Sequence, residues 1–94
     1  MSTKTKDRAY MGRIADLGCI VCRNAGLGVT PAQIHHIREG QGMAQRADNF
    51  LVIPLCQDHH TGKDSIHGDR QMFQARYGSE LDLLAQTISE VFKR

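Results

Sequence analysis

The chain has no tryptophan, and only three phenylalanines and two tyrosines stand among its 94 residues, so a broad aromatic core cannot hold it together. No apolar run resembles a signal peptide or is long enough to span a membrane, which excludes membrane insertion from the expectations. Charge of one sign is scarce as well. The formal charge of +2 is too small by itself to announce a polyanionic partner. Three cysteines cannot close as a full set of disulfides, so the chain reads as a cytoplasmic protein with reduced thiols. At this length only about 60–65% of the unfolded surface is buried on folding, and so small a core needs a staple. The three cysteines and five histidines are the available material for one.

What charge there is divides unevenly. Residues 1–46 carry seven Lys or Arg against three acids (+4), and residues 47–94 carry five against seven (−2). The basic half also holds paired histidines, a combination compatible with phosphate binding.

Along the chain, Tyr10, Ile14 and Leu17 recur at helical spacing with Met11 beside them, and Gly18 stands where a left-handed cap would end the helix. This predicts a helix over about residues 5–17, with residues 1–6 as a flexible lead. Cys19 to Cys22 then forms a knuckle, followed by a turn rich in Asn and Gly. Ala32–Arg38 and Phe50–Leu55 read as two strands, with Pro54 ending the second or placing it at an edge. The long loop between them, Glu39–Asn49, is of a length usually given to function. A helical turn from Cys56 to Thr61 and a short helix over Asp69–Tyr77 follow. Ser79 and Asp82 cap a last helix, whose Leu81, Leu84, Ile88 and Val91 run down one face. The expectation is a single α+β domain over residues 1–94.

Cys19-x-x-Cys22 and Cys56-x-x-His59 are two knuckles of identical spacing. Together they supply the four N/S ligands of a tetrahedral structural zinc. His35, His36, His60 and His67 remain, more than a pure zinc scaffold needs. Adjacent side chains on a strand point to opposite faces, so His35 and His36 can share a site only if the strand bends. Adjacent residues on a helical turn diverge by about 100°, so His59 can face the zinc while His60 points back toward the strands.

These residues carry a family resemblance. His36-Ile37, Asn49 before a second strand, and Leu55-Cys56-x-x-His59-His60 resemble the signature of HNH endonucleases. The longer pattern runs through Cys19–Cys22, His35-His36-Ile37-Arg38-Glu39-Gly40-Gln41-Gly42, Ile53–Gly62 and Ile66-His67-Gly68. It is similar to the Ref-like phage recombination-enhancement nucleases from about Tyr10 to Leu84. The resemblance implies a small zinc-stapled ββα-metal domain with an N-terminal helix and two C-terminal helices. It implies one-metal hydrolysis of DNA, with His36 as general base, Asn49 beside it, and His35, His60 and His67 on a catalytic divalent ion. Double- or single-stranded DNA is then the substrate, a RecA filament a candidate partner, and a phage or prophage the implied origin.

The pattern departs from the family in places. Asn49 precedes Cys56 by seven residues, two more than the commonest spacing, although an even shift preserves the strand face. His59 stands where the fourth cysteine usually is. His35 stands where many members carry an acid, which suits zinc or another transition ion better than magnesium, with manganese also open. The long basic arm of the Ref-like enzymes has no counterpart in residues 1–6. Arg38 and Arg46, on and beside the long loop, are candidates for phosphate contacts. The alternative expectation is a non-catalytic zinc-stapled module that binds DNA or adapts between proteins.

Overall fold

The computed structural model describes residues 3–42 and 45–93. The elements run α1 (Thr3–Asp16), α2 (Ile20–Asn24), β1 (Gln33–His36), β2 (Val52–Leu55), α3 (Gln57–Thr61), α4 (Arg70–Tyr77) and α5 (Glu80–Phe92), an α+β arrangement. None of the described helices is long and apolar enough to cross a membrane.

Helix α1 starts earlier than its apolar stripe does. Residues 4–6, expected as part of a flexible lead, are helical, because no Gly or Pro interrupts the run back to Thr3. Its C-terminus is set by Gly18, at φ 78°, where a Cβ would meet Val29 Cγ1 at 2.8 Å and the Thr30 backbone N and O at 2.9 Å. That close approach lets Cys19 N–H bond the Thr30 carbonyl at 3.2 Å, which aims the next residues inward. The residues expected as a bare knuckle there form the short helix α2.

Strands β1 and β2 pair antiparallel, with Gln33 opposite Leu55, Ile34 opposite Pro54, His35 opposite Ile53 and His36 opposite Val52. Both are shorter than expected, for identifiable reasons. Ile37 N–H still reaches the Leu51 carbonyl at 3.1 Å, but the next two N–H groups, of Arg38 and Glu39, turn away to the Glu80 carboxylate. On the other strand Phe50 N–H bonds Asp48 Oδ1 at 2.9 Å, a side-chain turn that delays the ladder. Pro54 lies within β2 and gives up no ladder bond, since each strand of a two-stranded sheet has an outer edge.

The two faces of this hairpin meet different partners. Ile34, His36, Val52 and Pro54 share one face, where Val52 and Ile34 pack with Ile14 of α1, Leu17 just beyond it and Val91 of α5. Gln33, His35, Ile53 and Leu55 share the other, where Ile53 and Leu55 join Cys19, Cys22, Phe73, Leu83 and Leu84 in the larger core. All of β2 is buried as a result. Helix α5 is rotated from the expected orientation. Leu81, expected in the core, is 49% exposed, whereas Glu80, Leu83, Leu84, Thr87 and Val91 are buried. Burial of Glu80 fixes this phase, since the residues three, four, seven and eleven places on share its face and Leu81 turns outward.

Candidate metal centres

Both cysteine-containing knuckles have the same local build. Cys19 is the N-cap of α2 and Cys56 the N-cap of α3, and in each the second ligand stands three residues on, on the first helical turn. Cys19 Sγ accepts from Cys22 N–H at 3.4 Å, which points the first two thiols the same way. The distances among the four groups test whether an ion fits. Zinc–ligand lengths of about 2.3 Å to sulfur and 2.0–2.1 Å to nitrogen in a tetrahedron require S···S near 3.8 Å and S···N near 3.6 Å. Cys22 Sγ lies 3.8 Å from Cys56 Sγ. His59 Nδ1 lies 3.6, 3.7 and 3.2 Å from Cys19, Cys22 and Cys56. The cluster therefore fits a structural metal such as zinc. The cysteines are free of disulfides, and burial pushes the Cys19 thiol up to about 12, so several thiolates need a cation to share this space.

The second group is His35, His60 and His67, each offering a ring nitrogen within 4.8 Å of the others. Each comes from a different segment: His35 from the inner face of β1, His60 from α3, and His67 from the turn that follows α3. That turn is bound onto the helix, with Ile66 N–H on the His59 carbonyl at 3.0 Å and His67 N–H on the His60 carbonyl at 3.2 Å. Inside it, buried Ser65 donates to the Gly62 carbonyl at 2.6 Å and accepts from Gly68 N–H at 2.8 Å. A Cβ on Gly68 would collide with the carbonyls of Gly62 and Lys63. The adjacent histidines 59 and 60 divide as the helical geometry predicts, His59 toward the cysteines and His60 toward Gln33 on β1, at 2.8 Å through Nδ1. Burial, together with the neighbouring histidines, lowers the pKa of His60. The same causes, with Arg38 and Arg70 nearby, lower that of His67. Both imidazoles therefore keep a lone pair at neutral pH.

One residue of this region went unnoticed in the sequence. Glu80, at the start of α5, is buried and accepts from His35 Nε2 at 2.6 Å, from Arg38 N–H at 2.9 and 3.0 Å, from Glu39 N–H at 2.8 Å and from the Arg70 guanidinium. Burial would raise its pKa, but the donors outweigh it and bring the carboxyl down to about 2. With Nε2–H given to Glu80, the His35 lone pair is on Nδ1; with Nδ1–H given to Gln33, that of His60 is on Nε2. Metal-binding histidines are commonly oriented by such outer acceptors. The capping pattern at Ser79 marks where Glu80 begins its helix, yet nothing in it signals a partner 45 residues back.

His36 and Asn49 meet on the opposite face of β1. His36 Nε2 lies 2.9 Å from Asn49 Oδ1, which also accepts from Arg46 at 3.1 Å, while Asn49 Nδ2 donates to Asp7 Oδ2 of α1 at 2.9 Å. The strand keeps its ladder here, so His36 is not part of the three-histidine group. Arg46 is thus an exposed neighbour of Asn49. Arg38 instead borders an open hollow of about 470 Å3, with Gln41, Gly42, Ile66, His67 and Arg70.

The model of a family described as "Protein of unknown function (DUF968)" matches residues 2–94. The chain is also similar to the uncharacterized protein YdfU of Escherichia coli (strain K12), 40% identical over 55 residues, which is 57% of this chain. It spans only 15% of that protein's length.

Proposed function

We propose that this chain, which belongs to the DUF968 family, is a metal-dependent DNA endonuclease of the HNH (ββα-metal) kind, stapled by a structural zinc. The observation that carries this reading is the second histidine group. Three ring nitrogens within 4.8 Å, from a strand, a helix and a turn, are more than a single-zinc scaffold uses, and they adjoin a hollow flanked by two arginines. A divalent ion held by His35, His60 and His67 would supply charge stabilisation for the phosphoryl and leaving oxygens.

The remaining chemistry belongs to side chains. His36 gives Nε2–H to Asn49 and keeps Nδ1 free to take a proton from the water that attacks phosphorus. His35 and His36 are consecutive and face opposite ways on an unbent strand, so in place of the expected bend this reading requires the scissile phosphodiester to lie across the end of β1 and be reached from both sides. Arg38 and Arg70 bind flanking phosphate in the hollow, while Arg46 stands near the base. A zinc held by Cys19, Cys22, Cys56 and His59 would tie α2 to α3 and so brace the floor of the site. In this reading the protein works in the cytoplasm of a bacterial host as part of phage DNA recombination or processing, with a RecA filament as a candidate partner.

A non-catalytic zinc-stapled DNA-binding or adaptor module would use the first centre alone. The deciding experiment incubates the folded chain with supercoiled plasmid and with single-stranded DNA, after chelation and then with added Mg2+, Mn2+ or Zn2+. Metal-restored nicking is expected. DNA binding without cleavage under every ion refutes the nuclease reading and favours the module.

A further inference from the structure

A catalytic histidine is useful only if its lone pair is on the right nitrogen, and the partner of the other nitrogen decides that. The partner of His36 is an amide, which by itself is indifferent: its oxygen accepts a proton and its nitrogen donates one. Rotating the amide by half a turn would exchange them and move the imidazole proton to the other ring nitrogen. Something must therefore hold the amide of Asn49 in one orientation.

Asp7 does so. An ionised carboxylate only accepts, so Asp7 Oδ2, 2.9 Å away, takes the Nδ2 end of Asn49 and leaves Oδ1 toward His36. Arg46 also favours this orientation at 3.1 Å, but its exposed side chain competes with water. Asp7 is half-buried, and its other oxygen, Oδ1, is buried with no hydrogen-bond partner among the described residues. A carboxylate with an unsatisfied buried oxygen costs stability, which a purely structural polar contact would not be expected to do. We infer that Asp7, on the N-terminal helix, is a positioning residue that fixes, through the Asn49 amide, which ring nitrogen of His36 carries the proton. The inference rests on the reading of His36 as the base, but its first test does not need activity.

The test compares the folded 94-residue chain with Asp7→Asn and Arg46→Ala, using long-range 15N–1H spectra of the imidazoles at about pH 8, where histidine is neutral. The parent should show His36 protonated at Nε2 with a lone pair on Nδ1. Asp7→Asn, whose amide can donate as well as accept, should show a mixture of tautomers with no drop in melting temperature. Arg46→Ala should leave the tautomer unchanged. Plasmid nicking by Asp7→Asn should fall about 10- to 100-fold, the usual loss for an outer-shell orienting group.

An unchanged Nε2–H tautomer in Asp7→Asn overturns the inference, as does a parent already protonated at Nδ1. A lower melting temperature with an unchanged tautomer also overturns it, since that is the signature of a structural role. Should Asp7→Asn fail to fold, Asp7→Ser makes the same comparison, because it likewise removes the obligatory acceptor. A tautomer switch in a chain that never nicks DNA supports the positioning role and refutes the nuclease reading, so the two failures are distinct.

Discussion

Glu80→Gln preserves the shape of a buried side chain and removes its charge. The wild-type carboxylate gathers His35, two backbone N–H groups and the half-exposed Arg70, and its own side chain is only 2% exposed, so solvent screens the contacts to His35 and the backbone little. Burial raises its pKa and the donors lower it, with a net fall from 4.5 to about 2. At 1.36 kcal/mol for each tenfold change in proton affinity, that fall amounts to about 3 kcal/mol. Because the folded pKa lies below the unfolded one, the contribution is complete above about pH 5 and is lost as pH falls toward 2. Glu80→Gln is therefore expected to be about 3 kcal/mol less stable at neutral pH, or about 12–24 °C lower in melting temperature for a domain of this size. Urea unfolding of both proteins across a pH series checks this. Acid release of metal affects both and largely cancels in the difference. The gap should close between about pH 5 and pH 2. A gap under about 0.5 kcal/mol at neutral pH, within the range of ordinary surface substitutions, refutes the argument. So does a gap that persists undiminished in acid.

The other expectations concern the division of labour among ligands. The purified chain should retain one tightly bound zinc by metal analysis, and Cys56→Ser should unfold it, since structural zinc contributes on the order of 10 kcal/mol to such modules. His36→Ala should keep both melting temperature and zinc while losing about 100- to 10,000-fold in nicking rate. His60→Ala should also melt like the parent but bind a second equivalent of Co2+ more weakly by titration; if it melts like Cys56→Ser, His60 belongs to the structural centre. DNA binding, followed by anisotropy, should weaken as salt rises, and Arg70→Ala should reduce the slope of that dependence by about one counterion.

The four-ligand cluster was legible because its logic is local. Cys19 with Cys22, and Cys56 with His59, have a spacing that a single helical turn turns into a shared ion site, and the split between His59 and His60 follows from helix geometry alone. The alternation of His35 and His36 was legible for the same reason. Glu80 and Asp7 were not, since each meets its partner only after α5 and α1 have docked on the hairpin. The misplacement of Leu81 has the same origin: a capping pattern locates the start of α5, but burial of Glu80 sets its rotation. Likewise the strand pattern runs past His36, whereas the backbone N–H groups of Arg38 and Glu39 are claimed by a carboxylate that no nearby sequence announces.

Glu80 also orders events in time. Synthesis runs from the N-terminus, so His35, His36, His60 and His67 leave the ribosome before the residue that orients the first of them. A chain extended only through Ser79 holds every histidine of the second group, but its His35 ring has no acceptor for Nε2–H and the backbone at Arg38 and Glu39 has no anchor. The arrangement of that group therefore arrives with the last helix, and a truncated product would carry the three histidines without it.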